Sequence, residues 1–320
     1  MRLVSKPLEW MARRASPLLA VALFIGIVLP DLARLFKPLI GPSVVVLLIA
    51  TLLRIDWPQA LAYARRPGRV LVVVAWLMLG APLVMAVAVR LIAPPEMLGH
   101  ALVLMASSPV LISVPTFALM LGLDAPLALV AMVVTSALQP FAQPPLTLAL
   151  LGVELNIGVA PLMTRLALLI GGSFVAALLI RWLAGRKRIE QAAAPIGGLA
   201  VLMLIVFGIG IMDGVTAMLI ERPGHVLLFL STAFAANFAL QALGGVLFWG
   251  LCRAGVVDWC QGLTAALASG NRNLAILVAA LGPSIHPDLL LYLAMGQFPM
   301  FLVPAALGPV YRMLLRDRRP

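Results

Sequence analysis

Long apolar runs, separated by short polar or basic interruptions, set the pattern of this chain. A helix needs about 20 largely apolar residues to cross the hydrocarbon of a bilayer. Ten stretches answer to that description, at 17–33, 38–54, 69–92, 97–122, 125–151, 160–183, 196–220, 224–252, 258–282 and 287–314. Between the second and third lies RIDWPQALAYARRPGR (54–69), too polar to span and predicted to lie along the interface with Trp57 and Tyr63 at headgroup level. Ten spans divide into five and five at the loop GVELNIGVAP, giving a first half of 1–152 and a second of 153–320. An odd number of spans per half forces opposite orientations, the inverted-repeat plan of many secondary transporters. LQPFAQPP (138–145) in the fifth span and GQFPMFLVP (296–304) in the tenth both combine Gln, Pro and Phe. The fourth and ninth spans are then partners. The expected fold class is an all-α polytopic membrane protein of two inverted five-helix repeats.

Those two partners carry the most polar interruptions. In MASSPVLISVPTFALMLGLD (105–124), Pro109 and Pro115 each remove a backbone donor and disfavour helix at the preceding residue. The fourth span is therefore predicted to break across Ser107 to Thr116. In ALASGNRNLAILVAAL (266–281), Ser269, Gly270 and Asn271 weaken the ninth span in the same way. Broken helices in matching positions point to a transporter binding site; kinks sealed by neighbouring helices are the plainer reading. Arg272 lies fourteen residues after Asp258 and ten before Gly282, roughly 15 Å or more from either end. Insertion scales put the cost of an arginine there at about 2.5–3.5 kcal/mol. Three readings of it stand side by side: a ligand for an anionic substrate, a fixed cation replacing a transported ion, or a buried partner of Asp213 or of helix-end carbonyls. Asp213 itself is either a proton carrier or a residue that reaches the surface. Asn237 with Gln241, and Gln139 with Gln143, are one helical turn apart and either line a cavity or link helices.

Composition agrees with the bilayer as solvent. The 320 residues are 63% hydrophobic and 11% charged, with mean hydropathy +1.09, against about 45–50% and 25% in a soluble domain. The net charge of +11 would suit nucleic acid, but the basic residues sit in short clusters between apolar runs. With a cytoplasmic N-terminus, seventeen of the 23 Lys and Arg fall on the inner face and five on the outer, with Arg272 between them. This is the positive-inside pattern. It predicts a bacterial-type inner-membrane protein with both termini cytoplasmic, the lipid bilayer as its partner and no nucleic acid. The apolar run after Arg2, Lys6, Arg13 and Arg14 lacks a small-x-small cleavage site and reads as a retained first helix. Cys252 and Cys260 form no CxxC, and His100, His225 and His286 lie near segment ends. Neither set has metal-ligand spacing. No nucleophile–base pair sits at a plausible depth, so no enzyme and no resident cofactor is expected.

SSP…LGLD, followed by Thr135, Ser136 and Pro140, together with GNRNLA (270–275), is similar to blocks of the bile acid:sodium symporter family, within the wider superfamily of bile, arsenite and riboflavin transporters. The resemblance spans nearly the whole chain. It implies a panel and a core domain, each drawn from both repeats, with the fourth and ninth spans crossing at unwound centres and an organic-anion cavity between the domains. Ion ligands in sodium-coupled relatives would fall here on Leu77, Val114, Pro115, Ala266 and Gly270, none of which supplies the expected side chain. Thr135, Ser136 and Asn271 remain, with Gln139 nearby. Two-sodium coupling is thus expected to be lost, leaving the coupling ion, sodium or proton, open. The implied substrate-binding set is Arg272, Asn271, Asn273, Ser107, Ser108, Ser113, Thr116, Asn237, Gln241 and Gln297. The leading expectation is a secondary transporter of a small organic anion working by alternating access. A metalloid or proton-coupled efflux carrier and a non-transporting receptor on the same fold are the alternatives.

Overall fold

Backbone N–H and C=O groups find no water in hydrocarbon, so each apolar run must satisfy them internally, and helices do this. The computed structural model describes residues 2–64, 67–152, 158–282 and 285–316, which are helical without strands. Helix α1 (Arg2–Arg13) meets α2 (Ala15–Val28) at a sharp bend. Next come α3 (Pro30–Phe36), which runs through one 3₁₀ turn into α4 (Ile40–Leu53), and the short α5 (Trp57–Ala64). A π-helical turn, Trp76–Gly80, joins α6 (Pro67–Ala75) to α7 (Ala81–Ile92). Two short helices, α8 (Glu96–Ser107) and α9 (Val114–Leu121), precede the long α10 (Ala125–Leu151) and α11 (Val159–Ala184). After α12 (Arg186–Gln191) the chain forms α13 (Ala193–Gly210), α14 (Val215–Glu221) and α15 (Pro223–Arg253). It ends with α16 (Trp259–Gly270), α17 (Leu274–Leu281), α18 (Pro287–Met295), α19 (Gln297–Ala306) and α20 (Gly308–Arg316).

Among the described residues six rods are long and apolar enough to cross a membrane: Pro30–Leu53, Pro67–Ile92, Ala125–Leu151, Val159–Ala184, Ala193–Glu221 and Pro223–Arg253. Two bent pairs, Lys6–Ala12 with Pro17–Val28 at 93° and Pro287–Val303 with Gly308–Leu315 at 48°, raise the number to eight. Large apolar side chains such as Leu91, Ile92, Trp182 and Leu183 point outward from these rods, more than 70% exposed. A surface of that kind needs lipid rather than water around it, and the chain is an integral, multi-pass membrane protein. The expected fourth and ninth spans are not continuous: α8 and α16 have 12 residues each, α9 and α17 only 8.

Helix α13 packs on α1, α2 and α4, while α15 packs on α16. Both contacts need glycine. A Cβ at Gly198 would collide with the Leu8 carbonyl of α1, and one at Gly270 with the Asn237 carbonyl of α15.

Tyr63, half-buried, joins three helices. Its hydroxyl donates to Asp124 Oδ2 at 2.5 Å and accepts from Gln261 Nε2 at 2.7 Å, tying α5 to the starts of α10 and α16. Burial, then the Asp124 carboxylate, pushes the phenol well above its ordinary pKa, so it remains a donor at neutral pH. Tyr63→Phe is expected to cost about 1–3 kcal/mol, as for a lost hydrogen bond to a charged group, measured as a lower melting temperature in detergent. Arg65, Arg66, Arg318 and Arg319 of the basic pattern, and residues 153–157 between the two expected halves, lie outside the described residues.

Candidate functional site

Helix α8 stops at Ser107, two residues before Pro109, and α9 resumes at Val114 with Pro115 in its first turn, where a missing N–H costs nothing. Helix α16 stops at Gly270, and Asn271 is extended (φ −98°, ψ 91°). The two unwound segments meet. Leu111 N–H donates to the Asn271 carbonyl at 2.9 Å and Asn273 N–H to the Pro109 carbonyl at 2.8 Å, forming an antiparallel bridge between Val110 and Arg272. Backbone groups freed by one break are thus satisfied by the other, as burial at membrane depth demands.

Arg272 is fully buried at this crossing. Its Nε donates to the Ser269 carbonyl at 2.8 Å, and its Nη1 to the carbonyls of Leu77 at 3.0 Å and Ser108 at 3.1 Å. The Leu77 acceptor has a local cause. In the π-turn Ala81 N–H reaches back to the Trp76 carbonyl, and Pro82, next in line, has no N–H to give. The Leu77 carbonyl is left for the guanidinium. Ser108 and Ser269 belong to the C-terminal ends of α8 and α16, where the helix dipoles favour a cation. Three other arginines do the same nearer the ends of the rods. Arg181 donates to the Leu53 and Ile55 carbonyls, Arg165 to those of Ala280 and Leu281, and Arg90 to that of Leu150. Of the three readings of Arg272, the contact seen is with helix-end carbonyls. Asp213 is not its partner; it pairs with Lys37 at 2.9 Å.

The remaining candidates close a polar network around the crossing. Ser107 and Ser108 hydroxyls both donate to the Leu104 carbonyl, and Gln143 Nε2 donates to that carbonyl and to both hydroxyls. Gln139 Nε2 donates to Gln143 Oε1 at 2.7 Å, and Thr135 Oγ1 accepts from Val110 N–H at 3.1 Å. Asn237 Nδ2 donates to the Gly270 carbonyl at 2.7 Å, Gln241 Nε2 to Asn237 Oδ1, and Tyr311 to Gln241 Oε1. Asn271 Nδ2 donates to the Leu267 carbonyl and Gln297 Nε2 to that of Leu293. Five buried polar atoms here have no partner: Ser113 Oγ, Gln139 Oε1, Asn271 Oδ1, Arg272 Nη2 and Asn273 Nδ2. Ser136 lines a void of about 20 Å³ between α4, α10 and α11.

Two larger cavities lie at opposite ends of α4 and α13. One, of about 760 Å³, is lined by Lys37, Ile40 and Gly41 near the start of α4, by Gly210 and Asp213 at the end of α13, and by Gly282. The other, of about 420 Å³, is lined by Leu47, Thr51 and Arg54 toward the end of α4, by Gly197 near the start of α13, and by Ser113 and Thr116. Only Ser113 and Thr116 of the expected substrate set face either cavity. Sequence reasoning missed Trp76, whose Nε1 donates to Ser269 Oγ at 2.8 Å, and the cavity positions of Arg54 and Lys37. An indole N–H inside an apolar span, a donor that needs a partner once buried, was the available signal for Trp76. Among the described residues no group of three His, Cys, Asp or Glu is placed to hold a metal. No known family profile matches the chain, and no curated protein is detectably similar to it.

Proposed function

We propose that this protein is a secondary transporter of a small organic anion, working by alternating access without a bound sodium ion. The supporting observation is the crossing of two interrupted helices, with a cavity toward each end of α4 and α13. In this reading α8 with α9 and α16 with α17 are the fourth and ninth of ten spans, arranged as inverted repeats of 1–152 and 153–320. Irregular backbone at membrane depth is tolerated where it is enclosed by protein or lines a cavity. Breaks matched in position between two halves accompany transporter binding sites. By the positive-inside rule, the cavity with Arg54 faces the cytoplasm and that with Lys37 the outside of a bacterial-type inner membrane.

Arg272 holds the position of a permanent cation in this mechanism. Its charge is delivered to carbonyls that would otherwise need an ion, so transport need not import one at that place. The unpartnered atoms of Asn271, Arg272 and Asn273 leave the crossing short of saturation, which favours rearrangement as the two domains move. In proteoliposomes, counterflow of a labelled organic anion is expected to proceed equally in sodium and in choline buffers. Steep dependence on external sodium would defeat the sodium-free mechanism. Binding without flux would favour a receptor on the same fold, and flux of a metalloid oxyanion or a proton-driven export would favour the efflux carrier.

A further inference from the structure

Arg54 differs from the other arginines at the rod ends. Arg90, Arg165 and Arg181 each cap carbonyls, whereas the Arg54 guanidinium has no hydrogen-bond or ion-pair partner among the described residues. It caps the end of α4, with its guanidinium over Gly197, where a Cβ would stand 3.3 Å from Cζ. The bare α-carbon of Gly197 makes room for it. The cavity it faces has no carboxylate in its lining. Ser113 and Thr116 add hydroxyl side chains to the lining, Ser113 Oγ being buried and without a partner, while the Thr51 hydroxyl donates to the Leu47 carbonyl at 2.8 Å. Leu47, Ile112, Phe117 and Met132 supply apolar walls. On the far side of Arg54 a cleft of about 150 Å³ carries Asp56 and Glu190; Glu190 is taken by Arg186 at 2.6 Å.

We infer that Arg54 is the charge contact of this cavity, which takes a compact amphiphilic monoanion, its carboxylate on Arg54 and the neighbouring hydroxyls and its apolar body against α4, α9 and α10. A guanidinium presents a planar fork that matches a carboxylate bidentately. One cation in a chamber whose lining carries no other charge selects for one negative charge and against a second. The location of this site rests on the transporter reading; the contact itself does not require transport.

The test uses the full chain in nonionic detergent, titrated calorimetrically with 4-phenylbutyrate and with its neutral amide, 4-phenylbutanamide. Wild-type protein is expected to prefer the carboxylate by about tenfold, a difference of about 1.4 kcal/mol, and the preference to shrink at high salt. Arg54→Gln is expected to erase that ratio while leaving amide binding unchanged, and Arg54→Lys to keep part of it. A ratio undiminished in Arg54→Gln would overturn the inference, as would a wild type that fails to bind the carboxylate. Arg54 is exposed and unpaired, so neither substitution is expected to lower the melting temperature, and that measurement accompanies each titration. Carboxylate preference without counterflow would remove transport and leave the anion contact standing. Counterflow with an unaltered ratio in Arg54→Gln would do the reverse.

Discussion

Arg272→Ala is expected to destabilise the purified protein by about 3 kcal/mol or more, because it removes the donor from three buried carbonyls, each costing about 1–3 kcal/mol when left unpartnered. The carbonyls are those of Leu77, Ser108 and Ser269, on three different segments. Loss of the guanidinium therefore loosens α8, α16 and the π-turn from one another, leaving the backbone bridge between Val110 and residue 272 to hold the crossing. Arg272→Lys is expected to fall between the two, since an ammonium keeps the charge but not the planar fork. The alanine variant also leaves oxygen atoms facing a vacated space at two helix C-termini, a setting that suits a hard cation. Sodium chloride, compared with choline chloride at equal ionic strength, is expected to raise the melting temperature of the variant and not of the wild type. A variant as stable as wild type and indifferent to sodium would show that the guanidinium is not what holds the crossing.

Gly270→Ala is the second large effect. The added methyl would overlap the Asn237 carbonyl and press on Gln241 Cγ. The helices cannot separate to admit it without stretching the 2.7 Å bond from Asn237 Nδ2 to the Gly270 carbonyl. Overpacking alone costs about 1–3 kcal/mol, and the lost bond adds to it. Gly250→Ala in α15 is the control, because nothing lies within 4 Å of a Cβ there. Replacing that exposed helical glycine is expected to be neutral or slightly stabilising. Elution profile and melting temperature in detergent compare the two. Equal behaviour would mean that α15 and α16 do not depend on so close an approach.

The course of the chain was largely legible because apolar runs of this length have few solutions in lipid. Six rods follow six of the seven expected stretches from 38–54 through 224–252; the seventh, 97–122, is the one in which Pro109 and Pro115 marked the break that the structure places between Ser107 and Val114. What surrounds Arg272 was not legible, for a physical reason. Its acceptors are main-chain carbonyls, which every residue carries, so Leu77 looked like a lost ligand when its backbone supplies a contact. Long-range pairs were equally hidden: Lys37 and Asp213 stand 176 positions apart. Arg54 was counted with the basic residues of one face, since charge tallies record depth and not the direction of a side chain. Most of the expected polar set turned out to bond inward to neighbouring helices rather than toward either cavity, a distinction that residue type alone does not carry.

The π-turn at Trp76–Gly80 has a further effect on the rod that contains it. A turn of this kind carries one surplus residue, and one residue is about 100° of helical rotation. The buried stripe Val70, Val73, Val74 and Leu77 accordingly resumes beyond it as Met78, Ala81, Pro82 and Met85, out of phase with its own continuation. Along that stripe α6 lies chiefly against α10, and α7 chiefly against α8. The surplus residue offsets the shift in sequence phase: the wide turn under-rotates by about as much as one residue advances, so the buried stripe stays on one side of the rod while its register moves by one.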